Sequence, residues 1–136
     1  MEPTVIEVAI VEDEAETAEM LAEMMRVNGY DVRLYHGAQT AIFAFSHHPP
    51  HLVILDIMMP DMSGLEVLRY MRRDPLLQNV PVIILSAKST PTAIREGLES
   101  GADRYLTKPV TFRKLTNTVK EVLAAQTNGT ASRGFS

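Results

Sequence analysis

The chain has 136 residues, 46% of them apolar, which suits one domain with a real core and is too short for two. A formal net charge of −4 argues against direct binding of nucleic acid, which needs a concentrated basic surface. Cysteine is absent, no apolar run approaches the roughly 18 residues of a membrane span, and the first residues lack a basic leader. We therefore expect a cytoplasmic protein without disulfides, thiolate chemistry or membrane contact.

Five short apolar runs predict β-strands that alternate with helices. Three runs are nearly continuous and rich in Val and Ile, as strands buried on both faces are: Val5 to Val11, Leu52 to Leu55 and Val82 to Leu85. The runs from Asp31 to Tyr35 and from Arg104 to Thr107 are more polar. We expect these two strands at the edges of the sheet.

The helical segments between these runs each carry one apolar stripe. In the first helix the stripe is Ala18, Leu21, Ala22 and Met25, and in the last helix it is Phe112, Leu115, Val119 and Val122. Gly29 and Gly101 stand where the first and fourth helices should end, and Pro91 suits the first position of the fourth helix. Residues 126–136 are small and polar, so we expect a domain over 1–125 followed by a flexible tail or the start of a linker.

Five βα units with short links predict an α/β fold, a (βα)5 doubly wound sheet of five parallel strands. With the first and third strands central, the flavodoxin-like strand order 2-1-3-4-5 follows. In such a sheet, the crevice for a ligand lies between the first and third strands, at their carboxyl ends.

Four polar chemistries follow the predicted strands and should meet at that edge. They are the acids Glu12 and Asp13, the lone Asp56, the hydroxyl of Ser86 and the amine of Lys108. The three carboxylates would repel one another by roughly 4 kcal/mol per pair at 4 Å, so they need a cation or a proton. Oxygen ligands without histidine or cysteine favour Mg²⁺. With the amine and hydroxyl on phosphoryl oxygens, the set predicts in-line phosphoryl transfer to Asp56.

Four sequence segments at these positions carry a family resemblance. They are VEDE at 11–14, LDIMMPDMSG at 55–64, LSAK at 85–88 and GADRYLTKP at 101–109. The chain resembles the receiver domain of two-component response regulators from Val5 to about Leu123. Its elements recur in the family's order and spacing, whereas a lone acidic pair would mean little.

The resemblance implies a role for each acid. Asp56 corresponds to the phosphoacceptor and Asp13 to a direct Mg²⁺ ligand. Glu12 would act through metal-bound water, and Met58 would offer its backbone carbonyl to the ion. The phosphorylation chemistry would therefore depend on Mg²⁺ as the cofactor.

The resemblance also implies a conformational switch. Ser86 resembles the hydroxyl that moves toward the phosphoryl group, and Tyr105 resembles the aromatic residue that rotates inward behind it. Lys108 corresponds to the phosphate-binding lysine, and the peptide bond before Pro109 would be cis. These movements would alter the face made by the fourth helix, the fifth strand and the last helix.

The implied partners are proteins. A histidine kinase or a histidine phosphotransfer protein would supply the phosphoryl group, and a downstream effector protein or domain would read the altered face. The chain would catalyse only its own phosphorylation and slow dephosphorylation, so we do not expect a metabolic enzyme.

Three other functions are weighed against this one. A haloacid-dehalogenase-like phosphatase needs an acid two residues after its nucleophile, and Met58 stands there. A flavin-nucleotide binder would have its phosphate repelled by the two acids after the first strand. A receiver-like scaffold for protein interaction, not regulated by phosphate, stays open. His47, His48 and His51 flank a Pro-Pro pair far from the carboxyl edge, so we expect no metal site there.

The chain departs from the family at several positions. Arg104 and Lys114 replace acids that pair across a dimer in winged-helix transcription factors, so we expect any phosphorylation-dependent dimer to use other contacts. Met58 and Lys88 are neither acids nor amides that would position an attacking water. We therefore expect slow self-dephosphorylation.

Overall fold

A computed structural model describes residues 5–127 and shows strict alternation of strands and helices. The strands are β1 (Glu7–Val11), β2 (Asp31–Tyr35), β3 (Leu52–Leu55), β4 (Val82–Ser86) and β5 (Arg104–Thr107). The helices are α1 (Ala15–Val27), α2 (Ala38–His47), α3 (Gly64–Arg73), α4 (Pro91–Glu99) and α5 (Phe112–Thr127). The predicted (βα)5 alternation is confirmed.

The five strands form one parallel sheet in the order β2-β1-β3-β4-β5. This is the predicted flavodoxin-like order, with β2 and β5 at the edges. In the register, Val11 lies beside both Tyr35 and Leu55, and Ser86 lies beside Thr107. The last residues of all five strands therefore reach one edge, and the residues that follow them are neighbours in space.

Alternate residues of the central strands point to opposite faces of the sheet, and each face has its own core. Val8 and Ile10 pack with residues of α1 and α5, whereas Ala9 and Val11 pack with residues of α2 and α3. Burial on both faces explains why the runs in β1, β3 and β4 are continuously apolar.

Two helices are followed by glycines in a backbone conformation that only glycine adopts readily. Gly29 has a φ of 89° after α1, and Gly101 has a φ of 116° after α4. At its start, α4 has Pro91 in the first turn, and the Thr90 hydroxyl accepts a hydrogen bond from the backbone N–H of Ala93. The predicted boundaries at these glycines and at the proline are confirmed.

The prediction of a buried side chain is wrong for one residue of α5. Leu115, Val119 and Val122 are buried on α5, but Phe112 is 43% exposed. Phe112 is the first residue of α5, and because helical side chains lean toward the helix N-terminus, no preceding turn of α5 lies under its ring. The predicted tail lies mostly outside the described residues, and α5 itself continues to Thr127. Within residues 5–127, none of the helices combines the length and the apolar character needed to cross a membrane.

A mostly buried arginine joins the end of α3 to the segments that precede β4 and β5, at the sheet edge opposite the acid residues. Arg72, near the end of α3, donates hydrogen bonds to the carbonyls of Gly101, Gln78 and Val80 at 3.0, 3.2 and 2.8 Å. Its guanidinium also lies 3.3 Å from Asp103 Oδ2, and the same oxygen accepts a hydrogen bond from the backbone N–H of Val82 in β4 at 2.8 Å. Local sequence patterns predict no role for this arginine or this aspartate.

Candidate functional site

Three carboxylates meet where β1 and β3 end. Each of Glu12, Asp13 and Asp56 offers an oxygen that lies within 4.8 Å of the oxygens offered by the other two. Glu12 and Asp56 are buried and Asp13 is exposed. The backbone N–H of Asp56 bonds to the carbonyl of Val11 at 3.0 Å, which ties the two strand ends together. The acid cluster expected at this edge is therefore present.

Lys108 reaches this cluster from the end of β5. Its Nζ donates to Glu12 Oε1 at 2.6 Å and to Asp56 Oδ2 at 3.0 Å. With every acid ionised, three carboxylates and one ammonium leave a net charge of −2. Such an excess of negative charge in a partly buried site favours a bound cation.

For both Glu12 and Lys108, burial and hydrogen bonding shift the pKa in opposite directions. Burial raises the pKa of the Glu12 carboxyl, against the lowering effect of its hydrogen bond from Lys108. Burial would lower the pKa of the Lys108 ammonium, but its hydrogen bonds to Glu12 and Asp56 outweigh burial and raise it. Lys108 therefore stays charged at neutral pH and holds the two buried acids together.

Both oxygens of the Asp56 carboxylate are oriented. Oδ2 accepts from Lys108, and Oδ1 accepts from the backbone N–H of Met58 at 3.1 Å. The Met58 side chain is 53% exposed, so it packs against little. Asp56 is thus a buried carboxylate whose two oxygens are each held by a neighbouring donor.

Gly64 fixes the backbone behind Asp56. A Cβ on Gly64 would lie 2.1 Å from the Asp56 carbonyl oxygen and 2.8 Å from the Ile57 Cα, both of them backbone atoms. The Gly64 N–H also donates to the Ile57 carbonyl at 2.8 Å. Because backbone cannot yield as a flexible side chain does, glycine is required where α3 begins.

Ser86 and Tyr105 lie beside the acid cluster. Ser86 is fully buried, and its hydroxyl accepts the backbone N–H of Lys88 at 3.2 Å. The Tyr105 hydroxyl donates to the Lys88 carbonyl at 2.7 Å. Burial raises the pKa of the Tyr105 phenol, partly offset by its contact with Ser86. The two predicted switch residues therefore meet at the loop between β4 and α4.

The peptide bond between Lys108 and Pro109 is cis, as the resemblance implies. Next to it runs a groove of about 320 Å³ that is lined by residues of α1 and of the segment after β5, Met20 and Val110 among them. Lys108 lines this groove and also reaches Asp56.

His48 and His51 lie at the opposite edge of the sheet, whereas His36 follows β2 and its Nδ1 lies 3.1 Å from the carbonyl oxygen of Glu12. His48 Nε2 is 3.2 Å from Glu7 Oε2, and His51 Nδ1 accepts the Glu7 backbone N–H at 2.9 Å. Glu7 is the first residue of β1, so this group is remote from the acid cluster. Among the described residues, only Glu12, Asp13 and Asp56 form a group able to hold a metal ion.

Asp61 has a role that its local sequence does not reveal. An aspartate in such a loop is typical of a turn, but its carboxylate accepts the backbone N–H groups of Ala38 and Gln39 at 3.2 and 3.0 Å. These are the first two residues of α2, whose N-cap, Gly37, has no side chain. Asp61 therefore caps a helix that is distant in sequence, and the bonds from Gln39 and Ala38 lower the pKa of its carboxyl.

We expect Asp61→Ala to lower the free energy of unfolding by about 1 kcal/mol at pH 7, because α2 loses its cap. Since the folded-state pKa of Asp61 is depressed, its contribution is complete above the ordinary value of 3.8 and declines as the pH falls further. Urea unfolding at a series of pH values checks this: the gap to wild type should narrow in acid. A gap that widens in acid would contradict the assignment.

Residues 8–120 match the family model described as the response regulator receiver domain. The match includes the ends of all five strands and every residue of the acid cluster. The chain belongs to the response regulator receiver family. It is thus a signalling domain of two-component signal transduction.

Receiver domains of longer regulators are among its relatives. Over 116 residues the chain is 39% identical to the phosphate regulon transcriptional regulatory protein PhoB of Pseudomonas aeruginosa, covering 85% of this chain and 51% of that protein. It is 37% identical over 113 residues to the DNA-binding response regulator MtrA of Mycobacterium tuberculosis, covering 83% and 48%. The receiver spans about half the length of these curated relatives.

Solved receiver structures share the fold. One is the signal receiver domain of a signal transduction histidine kinase from Syntrophus aciditrophicus, at 34% identity and a TM-score of 0.83, covering 89% of this chain and 92% of that one. Another is a CheY-like receiver domain protein from Methanospirillum hungatei, at 25% identity and a TM-score of 0.87, covering 93% and 99%.

The two departures on the predicted output face are both at the surface. Arg104 and Lys114 are exposed, and the Arg104 guanidinium donates to the carbonyl of Asp103 at 2.8 Å. Basic groups at both positions cannot pair with each other across a dimer. The prediction that this receiver does not use that charge network stays a prediction.

Proposed function

We propose that Asp56 is the phosphoacceptor of this receiver and that a phosphohistidine of a histidine kinase or a histidine phosphotransfer protein is the donor. The observation that carries the proposal is the arrangement of Asp56, a buried carboxylate beside two further acids and within 3.0 Å of the Lys108 ammonium. A carboxylate oxygen of Asp56 would attack phosphorus in line, forming a P–O bond as the P–N bond to the imidazole breaks.

The acid cluster fits Mg²⁺, because three oxygen donors converge on one region that carries excess negative charge. Asp13 and Asp56 would bind the ion directly, Glu12 would act through water, and Met58 would supply its backbone carbonyl. A bound ion would neutralise charge on the phosphoryl oxygens and so permit their approach to a carboxylate.

Lys108 and Ser86 would stabilise the transferred group. The Lys108 Nζ already lies 3.0 Å from Asp56 Oδ2, so little movement brings it to a phosphoryl oxygen. The Ser86 hydroxyl now accepts from the Lys88 backbone, and rotation would let it donate to the phosphoryl group instead. Tyr105 is hydrogen-bonded to the same Lys88, so movement of this loop would reach β5 and α4.

The groove beside Lys108 supports the proposal that the phosphoryl donor is a protein. It is largely apolar, it is lined by Met20 of α1 and Val110 after β5, and it is continuous with the lysine that reaches Asp56. A donor that presents its imidazole to Asp56 would cover this groove, and a downstream effector would instead read the face made by α4, β5 and α5.

The test is intact mass after incubation with acetyl phosphate, with Mg²⁺ or with excess EDTA. We expect a gain of one phosphoryl group in Mg²⁺ and none in EDTA, because the acid cluster would otherwise repel the donor. Equal gain in both conditions would contradict the metal-dependent mechanism. No gain in either condition, with a folded sample that binds Mg²⁺, would favour the scaffold interpretation.

A further inference from the structure

Gly97 stands in the interior of α4, where glycine is unfavourable. Relative to alanine, an interior helical glycine lowers the folding equilibrium constant by about two- to fivefold. Gly97 is buried, has no positive φ, and forms no turn. Its backbone conformation therefore gives no reason for a glycine, and the reason must lie in what surrounds it.

The space that a side chain would occupy at this position is already filled. A Cβ on Gly97 would lie 2.8 Å from Tyr105 Cδ2 and 3.0 Å from Tyr105 Cε2. It would also lie 2.8 Å from Ile84 Cδ1, the far end of a flexible side chain. The absence of a side chain at Gly97 thus leaves a shallow recess on α4, here called the seat, and the Tyr105 ring lies in it.

The hydroxyl end of the same ring is held as well. Tyr105 donates to the Lys88 carbonyl at 2.7 Å, and its ring packs against the core that includes Ile84. Tyr105 therefore bridges the β4–α4 loop and the middle of α4. That loop begins directly after Ser86, the buried hydroxyl beside the acid cluster.

We propose that Gly97 is a positioning residue whose missing side chain permits the packed position of Tyr105. With a Cβ at position 97 the ring must leave the seat, and its hydroxyl then loses the Lys88 carbonyl. The link to signalling rests on the proposed function: phosphorylation at Asp56 would favour the packed position, and the seat on α4 is what makes that position available.

A purely structural explanation competes with this one. Gly97 could be required only because α4 approaches the sheet closely at Ile84, with Tyr105 a bystander. The two explanations differ in which partner, once truncated, relieves the penalty of a methyl group at position 97.

A set of double-mutant cycles separates them. Gly97→Ala is made in four backgrounds, wild type, Tyr105→Phe, Tyr105→Ala and Ile84→Val, and the unfolding equilibrium constant is measured by urea denaturation. In wild type and in Tyr105→Phe, which keeps the ring, we expect Gly97→Ala to raise that constant about fivefold or more. In Tyr105→Ala we expect it to lower the constant about two- to fivefold, since only the helix preference for alanine is left.

The Ile84→Val background tests the competing explanation, in which Ile84 is the residue that requires glycine at position 97. This change removes Cδ1 alone, so the penalty of Gly97→Ala should persist there. If Ile84→Val removes the penalty and Tyr105→Ala does not, the proposal is overturned. A penalty of the same size in all four backgrounds would overturn it as well.

A second readout joins the seat to the switch. In protein labelled with 3-fluorotyrosine, the ¹⁹F resonance of Tyr105, assigned by its loss in Tyr105→Phe, should shift toward the exposed position in Gly97→Ala and stay there after acetyl phosphate is added. Intact mass should still show phosphorylation of Gly97→Ala. The cycles use unphosphorylated protein, so failure of the mass gain would refute the proposed function and leave the seat standing. A Tyr105 resonance that is unchanged by Gly97→Ala would refute the seat.

Discussion

Asp56→Asn should abolish the Mg²⁺-dependent mass gain from acetyl phosphate, with a fall of more than about 100-fold in the rate of labelling. The amide has nearly the shape of the carboxylate, but it is a very poor nucleophile and carries no charge to attract a metal ion. Its oxygen can still accept the Met58 N–H or the Lys108 ammonium, which hold the Asp56 carboxylate at 3.1 and 3.0 Å. The loss should therefore come from chemistry and not from unfolding.

Two matched controls define this result. Asp61→Asn changes an acid of the same loop that contacts α2 and not the acid cluster, so it should be labelled at the wild-type rate. Asp13→Asn removes a proposed metal ligand and leaves the acceptor, so its labelling should recover as the Mg²⁺ concentration is raised. Labelling of Asp56→Asn at the wild-type rate would show that the acceptor is elsewhere.

Arg72→Met should lower the free energy of unfolding by roughly 3–5 kcal/mol, the cost of breaking a buried ion pair by removing one partner. The side chains of Arg72 and Asp103 are only 13% and 7% exposed. Methionine fills much of the same space, but the Asp103 carboxylate loses its guanidinium partner, and the carbonyls of Gly101 and Val80 lose a charged donor. Urea unfolding followed by circular dichroism measures the change.

The neighbouring arginine provides the control. Arg73 is exposed at the end of α3, and Arg73→Met should change stability by no more than about 0.5 kcal/mol. Asp103→Asn keeps an acceptor for the Val82 N–H, so in that background Arg72→Met should cost much less than in wild type. Equal losses for the two arginine variants would show that Arg72 does not hold these segments together.

The strand order and the acid cluster were accessible from the sequence because they depend on local patterns. Apolar runs buried on both faces identify β1, β3 and β4, and the parallel arrangement brings their carboxyl ends to one edge. Glu12, Asp13, Asp56 and Lys108 then converge without any further information, since each lies one or two residues past the end of its strand.

The contacts of single side chains were not accessible in that way. Phe112 fits the apolar stripe of α5, yet it is exposed because it begins the helix and has no preceding helical turn to pack on. Asp61 has the appearance of a turn residue, and only the folded loop brings it to the first residues of α2.

The amino-acid sequence by itself determined the alternation of strands and helices, the order of the sheet and the edge at which the polar groups collect. Tertiary structure alone decided that Arg72 joins three segments and that Gly97 seats the ring of Tyr105. The physical reason is range: periodicity and helix ends follow from neighbours along the chain, whereas a hydrogen-bond partner or a steric seat depends on which distant residues the packed layers bring within a few ångströms.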